Sequence, residues 1–256
     1  METGIGLLPP PLIVFLEADI TNRYCVAPLN PREGPATMAL YVDHAFITCE
    51  VGAPEAEVLL KHGLVEGSSN VHMGQGTANR RFFFENFMLE LLWVSDPVIA
   101  ASQAVGVTEL WEHWSRRSAG ASRFGIVFAG QVPGDSAAPF VTKSYTPPYL
   151  PPGMRFEVAQ GFRHDEPAVI CIPTADRKRS RPKHEPPSIP EARVSGLAVG
   201  VQDPEILSAA AMRVQQAGLL EFMETPAPLL VIRFSAPKDV WLDCRPVLPL
   251  MLQAAS

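Results

Sequence analysis

This sequence lacks a long apolar run, an excess of positive charge and closely paired cysteines, and each absence removes a class of function. Its apolar stretch near the start, Leu12-Ile13-Val14-Phe15-Leu16, follows three prolines and is far too short to cross a bilayer. No basic region precedes it, so it does not read as a secretory leader. A formal net charge of -6 argues against a general grip on nucleic acid, whose phosphates need a basic face. The four cysteines, Cys25, Cys49, Cys171 and Cys244, are too scattered for a structural zinc site and are expected as reduced, mostly buried thiols. The expectation is a soluble cytoplasmic protein that engages neither membrane nor nucleic acid.

What is present is enough to fold. With 256 residues, 47% hydrophobic and 19% charged, the chain can bury a sizeable core as one large domain or two small ones. Residues 1–37 form a proline-rich arm with one expected strand at Leu12 to Leu16. Residues 38–120 read as a strand, a helix and returning strands. Ala39 to Cys49 alternates as a strand, placing Tyr41, Asp43, Ala45 and Ile47 on one face and Val42, His44, Phe46 and Thr48 on the other. Pro54 opens a helix stopped by Gly63, and a turn from Gly74 to Asn79 leads to strands at Arg81 to Phe84 and Phe87 to Val94. Asp96-Pro97 caps a further helical stretch, and another turn starts at Thr108, with Leu110, Trp111 and Trp114 at helical spacing and the two tryptophans expected as packing residues.

Residues 121–175 form a second, helix-poor unit with strands at Phe124 to Phe128, Arg155 to Ala159 and Ala168 to Ile172. Residues 176–192 have the composition of an exposed basic, proline-rich linker. Residues 193–256 form a third, partial unit: strand Val194 to Val201, a helix capped by Asp203-Pro204, and strands at Leu229 to Phe234 and Val240 to Cys244. The recurrence of strand, helix and strands makes the chain internally repetitive.

Several residues are candidates for chemistry. Glu90 sits between Leu89 and Leu91 on an apolar strand, where a carboxylate is costly to bury without a partner, and an ion pair with Arg80 or Arg81 is the structural alternative. His44 points among apolar neighbours, either as a hydrogen-bonded core histidine or as a ligand. In His72-Met-Gly-Gln-Gly-Thr-Ala-Asn79 the glycines permit a tight turn, with Gln75, Thr77 and Asn79 either satisfying their own backbone or touching a ligand. Arg80 and Arg81 alternate, so at most one faces inward. Tyr145, Tyr149 and Arg155 flank a proline-stiffened segment that forms a cavity wall or packs as a rigid loop.

Taken together, Asp43-His44, His72-x-Gly-x-Gly-Thr-x-Asn79 and Leu89-Glu90-Leu91 resemble the glyoxalase-like branch of the vicinal oxygen chelate superfamily. The resemblance continues into Gly120-Ala-Ser-Arg-Phe-Gly125, Pro148-Tyr-Leu-Pro-Pro-Gly153 and Arg245-Pro-Val-Leu-Pro249, so it spans residues 38 to 250. It implies an α+β fold of repeated βαβββ modules in a curled, barrel-like mixed sheet with flanking helices. It also implies a divalent metal (iron, manganese, zinc or nickel) that chelates vicinal oxygens of a small substrate in a lyase, isomerase or dioxygenase reaction. His44 and Glu90 match metal-ligand positions, Asp243 sits in the third unit much as Glu90 does in the first, and His72 with Glu90 would carry the proton chemistry. Gln75, Thr77, Asn79, Arg80, Tyr149 and Arg155 would contact the substrate. The second unit supplies no matching ligand, because Phe124-Gly125-Ile126 has no histidine and Cys171 replaces a carboxylate. The alternative is therefore a metal-free small-molecule binding or sequestering protein. Paired modules of this superfamily often associate as dimers, which makes a homodimer the expected assembly.

Overall fold

A computed structural model describes residues 40–130, 140–173, 181–237 and 240–254. The expected strand at Leu12 to Leu16 and Cys25 lie outside the described residues. The first unit runs β1 (Tyr41–Thr48), α1 (Ala56–Lys61), β2 (Asn70–His72), β3 (Thr77–Phe83) and β4 (Met88–Val94). The stretch read as one polar turn is mostly strand. Thr77 and Asn79 already pair with β2 and β4, and the reversal is confined to Met73 through Gly76. Gly74 and Gly76 both hold positive φ, which lets so few residues turn the chain.

After β4 come α2 (Pro97–Ala100), α3 (Gln103–Gly106) and α4 (Leu110–Ser115). The Asp96 cap forms as expected, its carboxylate accepting from the N–H groups of Val98 and Ile99 at 3.0 Å each. Trp111 and Trp114 stack against each other at 5.8 Å, and the Trp114 indole donates to the Cys49 carbonyl, so both are packing residues.

The second unit consists of β5 (Phe124–Ala129), β6 (Thr142–Tyr145), β7 (Phe156–Ala159) and β8 (Ala168–Ile172). Both units build one eight-stranded sheet in the order β2-β3-β4-β1-β5-β8-β7-β6. β1 lies parallel to β4 and β5 parallel to β8, while β1 and β5 meet antiparallel at the centre. Each unit thus folds its last strand back beside its first, giving the paired, curled arrangement of the expected fold. The period of two then sorts side chains. Ala45, Ile47, Leu89, Leu91 and Ile126 enter the main core, while Phe46, Leu92, Val127 and Ile170 line the opposite face.

The third unit comprises β9 (Arg193–Val201), a 3₁₀ turn at Pro204–Ile206, α5 (Ala209–Gln216), β10 (Glu221–Glu224), β11 (Leu229–Ser235), β12 (Trp241–Asp243) and β13 (Leu250–Ala254). Its single expected helix is divided. Asp203 caps the 3₁₀ turn, and the Ser208 hydroxyl restarts the helix by accepting from the Ala211 N–H at 3.1 Å. The unit does not extend the first sheet but makes its own, five strands in the order β10-β9-β11-β13-β12. Leu197, Val199, Leu230, Ile232 and Phe234 join the same core as Ala45 and Leu89, and the rings of Phe84 and Phe234 meet at 5.7 Å. Cys49, Cys171 and Cys244 are buried free thiols, as expected.

The linker reading needs correction over residues 181–192, which pack as a strap. The Ser188 hydroxyl accepts from the Phe83 N–H at 2.8 Å and donates to the Val65 carbonyl at 2.6 Å, and its own N–H reaches the Phe83 carbonyl at 2.7 Å. Glu185 is buried and accepts from the Ser68 N–H at 2.9 Å. The physical reason lies in the backbone groups at the end of β3, which need partners and find them in this segment.

Candidate functional site

On the face away from the main core, the eight-stranded sheet encloses a hollow of about 170 Å³. One end is polar, with His44, His72, Gln75, Glu90, Tyr145 and Tyr149 on its wall; the other is apolar, walled by Phe46, Leu92, Val127, Phe156 and Ile170. Residues far apart in sequence are thereby gathered, because their strands lie side by side and these positions share one face.

His44 arrives there with an unexpected partner. Val42 pairs with Phe128 and His44 with Val127, so Asp43 is one residue too many in β1, a bulge that breaks the alternation. Its carboxylate sits 2.7 Å from His44 Nδ1 instead of facing the other side. A carboxylate only accepts, so Nδ1 carries a proton and donates, and in the neutral ring it is Nε2 that keeps the lone pair. Phe46, two residues on, needs Gly125 beneath it: a Cβ there would lie 1.9 Å from the ring.

Glu90 is only 7% exposed, and both arginines named as its alternative partners turn elsewhere. Arg80 points to the opposite face and is held by Glu66 at 2.6 and 2.8 Å and by Glu57 at 3.1 Å. Arg81 donates to the Ser68 carbonyl at 2.6 Å, lies 3.7 Å from Glu185 and stacks over Phe83. Among the described residues no lysine or arginine forms an ion pair with Glu90, and a buried carboxylate without one is a cost the fold bears at this position.

His72 closes the polar end. Its Nδ1 lies 2.9 Å from the Thr77 hydroxyl, which Gln75 Nε2 also reaches at 2.9 Å; the Tyr149 hydroxyl donates to Gln75 Oε1 at 2.9 Å. Tyr149 comes from the proline-stiffened segment between β6 and β7, whose Pro148 presses so closely on Gly74 that a Cβ there would lie 2.8 Å from it. Burial holds His72 below its ordinary value, and Glu90 only partly offsets this. Burial pushes the Tyr145 hydroxyl up to about 12 and raises Tyr149 further, so both remain phenols at neutral pH.

The other candidates fall away from the hollow. Asn79 and Thr77 are fully buried behind it; Asn79 Oδ1 accepts from the Asn70 N–H at 2.9 Å, while its Nδ2 has no partner among the described residues. Arg155 is exposed and pairs with Glu157 at 2.5 Å. Asp243 stands on β12 in the other sheet, paired with Arg245, since the third unit forms a sheet of its own. Asn70, to which no sequence pattern points, lines the hollow, and so does Tyr145 from the edge of the proline-stiffened segment.

The donor set does not fit a resident divalent ion. Among the described residues no three His, Cys, Asp or Glu side chains come together as a metal-binding group, and the second unit presents Val127, Val158, Ile170 and Ile172 to the hollow.

The eight-stranded sheet pairs two units, each with its last strand parallel to its first. No protein-family model matches the sequence, and no curated protein does. Similar solved structures include a hypothetical protein from Staphylococcus aureus, 10% identical at a TM-score of 0.49 over 85% of this chain and 100% of that one. A methylmalonyl-CoA epimerase variant from Streptomyces coelicolor, in complex with 2-nitronate-propionyl-CoA, is 17% identical at a TM-score of 0.35 over 52% of this chain and 97% of that one. A triple mutant of 4-hydroxymandelate synthase from the same organism is 10% identical at a TM-score of 0.37, covering 84% of this chain and 62% of that one.

The buried histidines make a prediction about pH. His113 in α4 lies 2.9 Å from the Ser122 carbonyl and, like His72, is held below its ordinary value of 6.5, chiefly by burial. The unfolded chain therefore takes up protons first as pH falls. Stability is full above 6.5 and is lost as pH drops through the folded values. Urea midpoints should fall between pH 7.5 and pH 5.5, and His113→Gln should flatten that fall.

Proposed function

We propose that this protein binds a compact α-hydroxycarbonyl compound with an apolar body and isomerises it through an enediol, using side chains rather than a metal to handle the oxygens. The observation that supports this most is Glu90, a buried carboxylate with no lysine or arginine partner among the described residues, on the wall it shares with two histidines. Such a group is poorly explained by stability and well suited to accepting a proton.

Glu90 takes the proton from the carbon bearing the hydroxyl, and the electron pair left behind forms the enediol double bond. His72 and Tyr145 hydrogen-bond the oxygen on which negative charge develops. His44 accepts the hydroxyl proton at Nε2 and passes it to the neighbouring oxygen, while Asp43 holds the ring and balances its transient charge. Glu90 returns its proton to the former carbonyl carbon, and the reaction ends redox-neutral. The apolar end, from Phe46 to Ile170, receives the rest of the molecule.

The test is a panel of α-hydroxycarbonyl compounds with one apolar ring or a short branched chain, such as 2-hydroxypropiophenone, incubated in deuterium oxide and followed by proton NMR. A member that raises the melting temperature and exchanges its carbon-bound proton, with exchange lost in Glu90→Gln and His44→Ala, is the expected result. Binding without exchange would support the sequestering alternative. Stoichiometric metal in protein purified without chelator, lost in His44→Ala, would overturn the metal-free reading and restore the chelate one.

A further inference from the structure

Three hydrogen bonds of equal length connect the two modules at the polar end of the hollow. They run from Tyr149 to Gln75, from Gln75 to Thr77 and from Thr77 to His72, each 2.9 Å. We propose that this chain has one polarity and fixes His72 as its Nε2–H tautomer, making it a hydrogen-bond donor to the ligand's carbonyl oxygen and never an acceptor. The inference rests on the reading of the hollow given above.

The polarity follows from counting protons. Tyr149 has a single hydroxyl proton, and its partner is the amide oxygen of Gln75, which can only accept. That orientation turns the amide nitrogen toward Thr77, where its N–H donates to Oγ1. Thr77 has one proton of its own, and His72 Nδ1 is the one remaining hydrogen-bond partner of Oγ1 among the described residues, so placing that proton makes Nδ1 the acceptor. A neutral imidazole accepting at Nδ1 carries its proton on Nε2. Running the chain backwards requires the Gln75 amide to turn over, and the Tyr149 proton then loses the bond to Gln75 Oε1. Gln75 and Thr77 are 5% and 1% exposed, so water does not compete for these bonds. Burial also keeps the Tyr149 phenol protonated and His72 neutral at pH 7, the two states the chain needs.

The consequence is a division of labour between two histidines of one cavity. Asp43 leaves His44 an acceptor, whereas Thr77 leaves His72 a donor. The site selects a ligand that presents a hydroxyl to the first and a carbonyl to the second. Gln75, Thr77 and Tyr149 are positioning residues, and their signal originates in the second module, so His72 is set only when the two modules meet.

The test needs no ligand, which keeps its failure distinct from failure of the isomerase reading. Histidine ring nitrogens are labelled with nitrogen-15, and two-bond proton–nitrogen correlations are recorded at neutral pH, with His72 assigned through His72→Gln. A single Nε2–H pattern is expected in the unmodified protein. Thr77→Val and Tyr149→Phe should shift it toward a fast-exchanging mixture of tautomers, and Thr77→Ser should restore the single form. An Nδ1–H pattern in the unmodified protein, or an unchanged spectrum in Thr77→Val, would overturn the proposal. Thr77→Ser, which keeps the hydroxyl, separates the relay from any general loss of packing.

Discussion

Replacing Glu90 with glutamine is expected to abolish proton exchange while making the protein more stable. The carboxylate is 7% exposed and faces the hollow, with Arg80 and Arg81 committed to other acids. Glutamine has nearly the same shape and no charge to desolvate, so the folded state should gain about 1 kcal/mol. The same change removes the group that takes the carbon-bound proton, and a positioned base is worth about 100-fold to 10,000-fold in rate. Urea denaturation and deuterium wash-in measure the two effects separately. A Glu90→Gln protein less stable than its parent would mean that the carboxylate has a structural partner, and the functional reading of Glu90 would fall with it.

Gly76→Ala is expected to be strongly destabilising. Gly76 holds φ at +75°, and an added Cβ would lie 2.5 Å from the Asp96 carbonyl oxygen and 2.7 Å from the Ala100 N–H nitrogen. Both are backbone atoms, and Asp96 and Ala100 anchor the first turn of α2, so neither neighbour can yield by rotating a side chain. Left-handed strain and overpacking together should cost about 3 kcal/mol or more. Gln75 and Thr77 flank this glycine, so the histidine tautomer should blur in the same variant. A melting temperature within a degree or two of the parent would show that the turn relaxes without cost.

Much of the site was legible because strand periodicity is a local property. Alternation along β1 placed His44 and Phe46 together, and alternation along β4 placed Glu90 with Leu92; all four line the hollow. The cap at Asp96 was legible for the same reason, since it depends on atoms two and three residues away. The Asp43 bulge was not, because it arises from the register between β1 and β5, strands some 80 residues apart, as a comparison of Tyr41–Thr48 with Phe124–Ala129 shows. Strands β2, β6, β10 and β13 are three to five residues long and carry too few alternations to stand out. Asp243 was misplaced by analogy: its local pattern mirrors Glu90, but strand pairing assigned it to a separate sheet.

Local pattern along the chain was enough for the repeated strand-and-helix units, the apolar faces of β1 and β4, and the imidazole and carboxylate that stand on them. These follow from the two-residue period of an extended chain and from capping groups within reach of their own backbone. Folding in three dimensions was needed for Asp43 to orient His44, for Tyr149 to reach His72 through Gln75 and Thr77, and for both arginines to turn away from Glu90. Each of those depends on which strands become neighbours and in what register, and that is settled by burying one shared core rather than by any segment alone.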